Sequence, residues 1–331
     1  MTILVNAHTH LYSGLVPFGM PAPDPTPENF IEILERLWWR LDRALDVDSL
    51  RASARYYVAQ AQLAGTAAII DHHESPEMIE GSLDILADAC EEFSMPALLT
   101  YGATERNGGL PEARAGLAEC ERFIRDRATD SVKGLIGLHA SFTVSDDTIC
   151  EAANTARELG TVLHVHIAED LADVEDAQER GYSGVIDRFE KLDALVPGSI
   201  FAHGVHLTAQ EVERVASADC WLVHNPRSNA NNRVGFARTL SASSQVALGT
   251  DGFDSDMQVE LGELERDLDS ALAASRLESG ARLAAAWWSP QVLAAARPQL
   301  TKDQLDELKS SAQEQATHLW ERMRALDQNR N

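Results

Sequence analysis

Residues 3–10 of the chain read ILVNAHTH, a short apolar run that ends in two histidines one residue apart. Similar apolar, β-branched runs recur along the chain, separated by longer segments with hydrophobic residues at helical spacing. Continuous apolar runs of this kind are typical of parallel strands that are buried on both faces. The eight predicted strands cover residues 3–6, 67–71, 97–101, 135–139, 162–166, 200–203, 221–224 and 246–249.

The alternation of eight strands with helices predicts an α/β fold, a (β/α)8 barrel of the TIM type rather than an open sheet. Because no linker or repeat interrupts the sequence, residues 1–331 are predicted to form a single hydrolase barrel. Its core is expected at about residues 1–257 and a helical C-terminal extension at about residues 258–331. The main helical patterns cover residues 28–46, 49–63, 77–92, 111–127, 145–159, 209–216, 283–288 and 304–326.

The composition excludes several classes of partner. Asp and Glu number 52 against 28 Lys and Arg, which gives a net charge of -24 and a pI near 4.7. Such a surface repels phosphate groups, so we expect neither nucleic acid nor a membrane as partner. The four cysteines form no Cys-x-x-Cys pair, and the first residues lack the features of a signal peptide. We therefore expect a cytoplasmic protein without a transmembrane segment.

The placement of the histidines is the strongest functional signal. Ten of the 11 histidines fall at or just after the end of a predicted strand, and in a barrel these ends converge on one mouth. In the first strand, His8 and His10 alternate, so both side chains can face the barrel axis. The convergent set comprises His8, His10, His166, His203 and Asp251.

These side chains offer nitrogen and oxygen ligands without a thiolate. Such a set suits zinc or ferrous iron, and the sequence does not choose between the two metals. Glu169 lies three residues after His166, where the chain leaves the fifth strand and can direct a carboxylate over the site. His164, one layer deeper, is expected to be a hydrogen-bonded core residue rather than a ligand.

Seven motifs in a fixed order link the sequence to a known family. They are NAHTHLY (6–12), LWWRLDRAL (37–45), IDHH (70–73), GLHASF (137–142), HIAED (166–170), HNPRSN (224–229) and LGTDG (248–252). On these motifs the chain resembles the amidohydrolase superfamily, in its cytosine/guanine deaminase and chlorohydrolase-like branch. Within that branch it is most similar to the SsnA-type aminohydrolases.

The resemblance implies one divalent metal ion, with Zn2+ expected and Fe2+ as the alternative. The implied ligands are His8, His10, His166 and Asp251. Some members of the superfamily bridge two metals with a carboxylated lysine on the fourth strand. Here Lys133 precedes that strand and lies at its wrong end, so a single ion is expected.

The resemblance also implies catalytic roles. Glu169, His203 and Asp251 are expected to handle protons during catalysis. His139 and the 225–229 loop are expected to shape the substrate pocket, through Asn225, Arg227, Ser228 and Asn229. For Arg227, pairing with surface carboxylates is an equally good interpretation.

The expected reaction is attack of a metal-activated hydroxide on an N-heterocycle such as a purine, pyrimidine or triazine, with release of ammonia. One alternative is the loss of chloride, an alkylamine or a lactam nitrogen by the same hydroxide. Another is a metal-binding scaffold without turnover. The expected partner is therefore a small heterocyclic molecule.

Relatives in this branch carry a small β-sandwich built from segments before and after the barrel. Only seven residues precede His8, and alanine-rich helix follows the barrel. We therefore expect a barrel that lacks most of the sandwich. The surface left open could be covered by another subunit, which makes a homo-oligomer an expectation.

Overall fold

The computed structural model describes residues 3–295 and 297–328. All strand pairs in this part of the chain are parallel. In chain order, β1 to β10 are Leu4–Thr9, Thr66–Asp71, Ala97–Leu99, Gly102–Ala103, Val132–Gly134, Ile136–Ala140, Leu163–Ile167, Ile200–His203, Trp221–His224 and Val246–Leu248.

The strands form two ladders, in the orders β1-β2-β3-β5 and β10-β9-β8-β7-β6-β4. The third predicted strand contains β3, and the short strand β4 follows it; the fourth predicted strand corresponds to β6, and the short strand β5 precedes it. β3 and β5 pair in one ladder, whereas β4 and β6 pair in the other. The backbone N–H groups of Thr250 and Asp251 donate to the His8 carbonyl at 2.9 and 3.0 Å, which links the last strand to the first. The predicted α/β barrel of the TIM type is thereby confirmed.

Helices surround the strands, and many begin with a side-chain cap. For example, the Asp46 carboxylate accepts from Ser49 N at 2.9 Å while Asp46 N donates to Ser49 Oγ at 3.0 Å. The helices are Phe30–Ile33, Trp39–Ala44, Val47–Leu63, Ser82–Glu92, Leu110–Asp126, Asp146–Leu159, Leu171–Glu179, Val185–Lys191, Ala209–Ser217, Pro226–Asn231, Met257–Leu264, Ser270–Ala284, Pro290–Leu293 and Lys302–Gln328. A π-helical turn, Leu34–Trp38, joins the first two helices, and 3₁₀ segments occur at Leu11–Phe18, Ser141–Thr143 and Arg238–Ala242.

The helix predicted at residues 283–288 is wrong. Ser270–Ala284 ends before it, and residues 285–288 form a turn. Trp288 is buried in the apolar layer beneath the barrel strands, where its Nε1 donates to the Ser131 carbonyl at 3.1 Å. Pro290 also disfavours helical backbone at the residue before it. The chain therefore turns at this point to close the N-terminal end of the barrel.

The barrel interior has two layers. The lower layer is apolar and includes Val5, Ala7, Ile70 and Leu98. The upper layer consists largely of buried histidines at the carboxyl ends of the strands. An outer apolar shell between strands and helices completes the core, so the polar groups are confined to one end.

The long final helix, Lys302–Gln328, packs against Val47–Leu63 and against the Leu11–Phe18 segment. Trp320 Nε1 donates to the Phe18 carbonyl at 3.0 Å, which fixes the helix beside the chain that leaves β1. Every strand in residues 3–295 and 297–328 belongs to the two barrel ladders. No helix in the described part of the chain is long and apolar enough to cross a membrane.

Candidate metal centre and active site

Four of the predicted ligands converge at the carboxyl ends of β1, β7 and β10. His10 Nε2 lies 2.7 Å from Asp251 Oδ1, and His8 Nε2 lies 3.4 Å from the same oxygen. His166 Nε2 is 3.1 Å from His8 Nε2. Residues far apart in the sequence therefore bring possible metal-binding atoms of His8, His166, His203 and Asp251 within 4.8 Å of one another, and His10 contacts this group through Asp251.

Backbone carbonyls set the orientation of two of these rings. His10 Nδ1 donates to the His72 carbonyl at 2.5 Å, and His166 Nδ1 donates to the His139 carbonyl at the same distance. Because a carbonyl only accepts, the proton of each neutral ring is on Nδ1 and the lone pair is on Nε2. The Nε2 atoms of both rings are therefore prepared to bind a cation.

The donor set fits a divalent metal. The lone pair of His10 Nε2 faces the Asp251 carboxylate, an arrangement that needs a proton or a cation between the two atoms. Burial opposes the charged form of His10, but its contact with Asp251 outweighs burial and raises the pKa of His10 to about 9. Burial likewise opposes the charged form of Asp251, but the contacts with His10 and His8 hold its pKa well below its usual range. Three imidazoles and one carboxylate match the ligands that zinc and ferrous iron accept.

Three residues at the strand ends have left-handed backbone although none is glycine. The φ angles are 46° for Ala168, 75° for His203 and 55° for Asp251. Such conformations are costly and persist where the surrounding structure enforces them, often at functional sites. Here they turn the chain at the barrel mouth and direct His203, Asp251 and Glu169, which follows Ala168, toward the candidate metal site.

The carboxyl group of Glu169 is buried beside the four predicted ligands. Asn232 Nδ2 donates to Glu169 Oε1 at 3.1 Å, and Oε2 lies 3.4 Å from His203 Nε2. Burial and the nearby Asp251 carboxylate raise the pKa of Glu169 well above its usual range. The site therefore favours the protonated form of Glu169, with Oε2 as the free oxygen.

His203 has a fixed orientation. Its Nδ1 donates to Asn229 Oδ1 at 2.9 Å, which leaves the Nε2 lone pair toward the site. Burial lowers the pKa of His203, so the ring is held neutral. His203 Nε2 also lies within the group of possible metal-binding atoms that includes His8, His166 and Asp251.

A cavity opens beside these residues, and His10, His166, Glu169 and Asp251 form part of its lining. Its polar wall includes His139, as the sequence predicted, and its other walls are largely aromatic. The lining residues are His10, Tyr12, Phe30, Leu34, Trp38, Trp39, Asp42, Glu74, Arg106, His139, Ala140, Phe142, His166, Glu169, Asp173, Asn232, Asp251 and Gly252. A flat ring can therefore lie between apolar surfaces while its edge meets polar groups.

The 225–229 loop contributes differently from the sequence prediction. Ser228 donates to Asp251 Oδ2, and Asn229 accepts from His203 Nδ1. Asn225 Nδ2 lies 3.4 Å from His203 Nδ1. Ser228 therefore holds the orientation of Asp251 and Asn229 that of His203, and the three side chains are not part of the cavity lining.

Arg227 also lies outside the cavity lining. Its guanidinium pairs with the buried Glu260 carboxylate and, at 3.1 Å, with Asp254. The alternative interpretation of this arginine, pairing with carboxylates, is the one that the structure shows. Within the described chain, Asn232 is the residue of this region that reaches the cavity.

Sequence reasoning missed Glu74 as a wall residue. Its Oε1 lies 2.6 Å from His72 Nδ1, and its Oε2 lies 3.7 Å from His10 Nδ1. The position of Glu74 directly after the His72–His73 pair was an available signal, since both histidines end a predicted strand. Asp71, which precedes this pair, accepts from Leu11 N at 2.6 Å.

Two residues of the LWWRLDRAL motif, Trp38 and Trp39, belong to the aromatic wall. Both line the cavity, and Trp38 ends the π-helical turn. Turns of this type occur frequently at functional sites.

With this geometry in place, comparison with known proteins identifies the family. A profile of the amidohydrolase family matches residues 4–296, so the chain belongs to this family.

Among curated relatives, the chain is 29% identical over 295 residues to the 8-oxoguanine deaminase of Pseudomonas aeruginosa, covering 84% of this chain and 64% of that protein. It is 28% identical over 266 residues to the 5-methylthioadenosine/S-adenosylhomocysteine deaminase of Thermococcus sibiricus, covering 78% of this chain and 59% of the relative. The chain thus spans less than two thirds of the length of either relative.

Solved structures agree on the fold. A zinc-bound adenosine deaminase from Xanthomonas campestris superposes with a TM-score of 0.73 at 21% identity, over 96% of this chain and 85% of that one. The guanine deaminase of E. coli gives 0.70 at 20% identity, over 85% of this chain and 68% of the other. At such low identity, these matches support the barrel fold alone.

Proposed function

We propose that this chain is a metal-dependent aminohydrolase that removes an amino group from an N-heterocycle as ammonia. The observation that carries the proposal is the close grouping of possible metal-binding atoms from His8, His166, His203 and Asp251, with His10 against Asp251. His10, His166, Glu169 and Asp251 also line the adjacent cavity. The relatives named as deaminases of purine compounds support it.

The residues that would hold the metal are His8, His10, His166 and Asp251. A divalent ion bound there would supply hydroxide at neutral pH, because it lowers the pKa of a water molecule from about 15.7 to about 7. We propose zinc rather than iron, since the family neighbours with a stated metal contain zinc.

Asp251 would act as the base. Ser228 occupies its Oδ2, while Oδ1 faces the ligand histidines. An ionised carboxylate in this position can accept the proton of the attacking water. His203, with its proton on Nδ1, would accept a hydrogen bond at Nε2 and orient that water.

Glu169 would act as the acid. Asn232 donates to Oε1, so the carboxyl proton is on Oε2, which lies 3.4 Å from His203 Nε2. Transfer of this proton to a ring nitrogen prevents the build-up of negative charge there while the neighbouring carbon is attacked. General acid catalysis of this type contributes about 10²- to 10⁴-fold to rates. The proton that Asp251 has accepted from the attacking water can then pass to the departing amine, which leaves as ammonia.

The test is elemental analysis of the purified protein together with an ammonia-release assay on a panel of purines, pyrimidines and triazines. We expect about one zinc per chain and ammonia from at least one compound. Tight metal binding without hydrolysis of any compound would instead favour a metal-binding scaffold.

Product analysis addresses the leaving group. Parallel assays with chlorinated and alkylamino members of the same ring systems measure chloride and alkylamine release. A preference for either group over ammonia would replace deamination by the alternative hydrolysis.

A cytoplasmic location and self-association also remain predictions.

A further inference from the structure

A second cavity, called the side cavity below, lies beside the barrel mouth, and the proposed mechanism does not use it. The Leu11–Phe18 segment, the helix Val47–Leu63 and the loop after β10 contribute to its walls. Apolar and aromatic side chains that are only half-buried make up much of its lining: Val16, Met20, Leu37, Trp38, Tyr56 and Phe253. Contiguous apolar surface that solvent can reach is typical of a binding site for a small molecule.

The buried polar groups of the side cavity already have partners within the protein. Tyr57 Oη donates to the Phe253 carbonyl at 2.7 Å, and Ser13 Oγ donates to the His10 carbonyl at 2.7 Å. Within residues 3–295 and 297–328, no side chain of this lining has a buried polar atom without a hydrogen-bond partner. Because a polar guest would lose water without gaining such a partner, an apolar guest fits this cavity better.

Two residues form the wall between the side cavity and the active cavity, the one beside the candidate metal centre. Trp38 and Gly252 each line both cavities. A Cβ atom on Gly252 would lie 2.8 Å from Trp38 Cη2, so the edge of the indole ring rests on backbone that carries no side chain. Gly252 also directly follows Asp251 in the sequence. A ring bound in the active cavity is therefore separated from the side cavity by one side chain.

Packing alone holds Trp38 in place. Its indole N–H has no hydrogen-bond partner in the part of the chain that the structure describes. The indole N–H groups of Trp288 and Trp320, in contrast, each donate to a backbone carbonyl, at 3.1 and 3.0 Å. The Trp38 ring can therefore shift without breaking a hydrogen bond, and such a shift joins the two cavities.

We propose that the side cavity binds an apolar substituent of the substrate, while the heterocycle itself lies in the active cavity and the substituent passes Trp38. The subsite deepens the proposed function and rests on it, because it names the substrate class: amino-substituted N-heterocycles that carry an alkyl chain or a similar apolar group. The same ring without such a group leaves the side cavity unused and binds more weakly.

Binding provides a test that does not depend on turnover. Calorimetry with the zinc-loaded full chain compares 9-butyladenine with 9-methyladenine, 1-butylcytosine with 1-methylcytosine, and N-butylmelamine with N-methylmelamine. Each methylene group that moves from water into an apolar site raises the affinity by about 4-fold. In at least one pair we therefore expect the butyl compound to bind about 10-fold more tightly or better. Equal binding within all three pairs, or no binding of any compound, overturns the proposal.

Filling the side cavity should remove this butyl preference. Val16→Phe adds volume from a position that lines the side cavity and not the active cavity. We expect the butyl compound to lose most of its advantage while the methyl compound binds as before. Met20→Trp repeats the test from a second position with the same property. An unchanged butyl preference in both variants overturns the proposal.

Val259→Phe is the matched control, because it makes the same change at a residue that is 51% exposed on the helix Met257–Leu264. We expect this variant to keep the butyl preference. Analytical ultracentrifugation of the same variants addresses another occupant, a second copy of the chain. A filling variant that dissociates an oligomer and keeps the butyl preference would assign the surface to self-association and overturn the proposal.

Catalysis separates this inference from the proposed function. In the pair with the butyl preference, we expect kcat/KM for ammonia release to be about 10-fold higher for the butyl compound, and Val16→Phe to bring the two values close together. Butyl-dependent binding without any ammonia release contradicts the deaminase function alone. Ammonia release without any butyl preference contradicts the substituent subsite alone.

Discussion

At the scale of single residues, the two oxygens of Glu169 have different surroundings. Asn232 donates to Oε1, and Oε2 faces His203 and the cavity. Because only a protonated carboxyl group can donate from Oε2, the proposed role depends on the raised pKa of Glu169. The neighbouring metal ligands do not depend on that proton.

We expect Glu169→Gln to lower the rate of ammonia release by about 10²- to 10⁴-fold, because an amide cannot deliver a proton to the ring nitrogen. Steady-state kinetics measure the loss, and elemental analysis checks that zinc remains bound. The control is Glu158→Gln, which makes the same change on an exposed helix position. An unchanged rate in the Glu169 variant would rule out its role as the acid.

Sequence reasoning at this scale depended on whether a residue ends a strand. His8, His10, His166 and Asp251 do, and barrel geometry alone brings such ends together. Arg106 reaches the cavity from a loop, and its contact with Trp39 depends on how two loops pack. Residue spacing carries no information about that packing, so the aromatic and basic wall was not predicted.

At the scale of elements, the junction between β10 and β1 has no room for a side chain at Gly249. A Cβ atom there would lie 2.5 Å from Asn225 Oδ1 and 2.8 Å from the His8 carbonyl oxygen. Both neighbours belong to the metal centre or to its support. The missing side chain therefore allows the last strand to approach the first.

We expect Gly249→Ala to displace the His8 backbone and lower both the zinc content and the rate of ammonia release by about 10-fold or more, as expected for a displacement of about 1 Å at a catalytic site. Gly262→Ala is the matched control. Gly262 lies in the helix Met257–Leu264 with nothing within 4 Å of its virtual Cβ. In that helix, alanine should raise the free energy of unfolding by about 0.5–1 kcal/mol. Full zinc occupancy in Gly249→Ala would show that the junction tolerates the methyl group.

A second element-scale prediction concerns the loop after β6. Arg188 is fully buried and donates to the Ser141 and Val144 carbonyls at 2.7 and 2.9 Å, which holds the chain that follows His139. Arg188→Met leaves both carbonyls without this donor. Each unsatisfied buried carbonyl lowers the free energy of unfolding by about 1–3 kcal/mol. Denaturant unfolding should show that the free energy of unfolding falls by about 2 kcal/mol or more.

The control is Arg114→Met, which removes an exposed ion pair. We expect its free energy of unfolding to change by no more than about 0.5 kcal/mol. Equal stability of the two variants would mean that Arg188 does not support the loop.

The positions of the strands were predictable because continuous apolar runs dictate buried parallel strands. The additional short strands β4 and β5 were not. Gly102 of β4 pairs with Gly137 of β6, and a Cβ atom on Gly137 would lie 2.3 Å from the Tyr101 carbonyl oxygen. This pairing depends on contacts between segments that a single run cannot reveal.

At the scale of the whole molecule, the metal centre should contribute to stability. His10 Nε2 and Asp251 Oδ1 are held 2.7 Å apart, and a bound cation satisfies both atoms. A ligand present at 100 times its Kd stabilises the folded state by about 2.7 kcal/mol. We therefore expect a chelator to lower the Tm by about 3 °C or more.

Differential scanning calorimetry measures this shift, and added Zn2+ should restore the original Tm whereas Mg2+ should not, because Mg2+ prefers oxygen ligands. The variant His8→Ala is the control, since it should show little response to the chelator. A Tm that is insensitive to chelation in the native chain would contradict a tightly held ion.

The hydrogen bonds from Thr250 and Asp251 to the His8 carbonyl join two regions near opposite ends of the barrel sequence. A chain still under synthesis cannot assemble all four ligands until Asp251 has left the ribosome. If the proposed ligand set is right, we expect loading of the ion to follow completion of the barrel rather than guide its early folding. For the same reason, a proteolytic fragment that ends before the last strand would lack the carboxylate, whatever its stability.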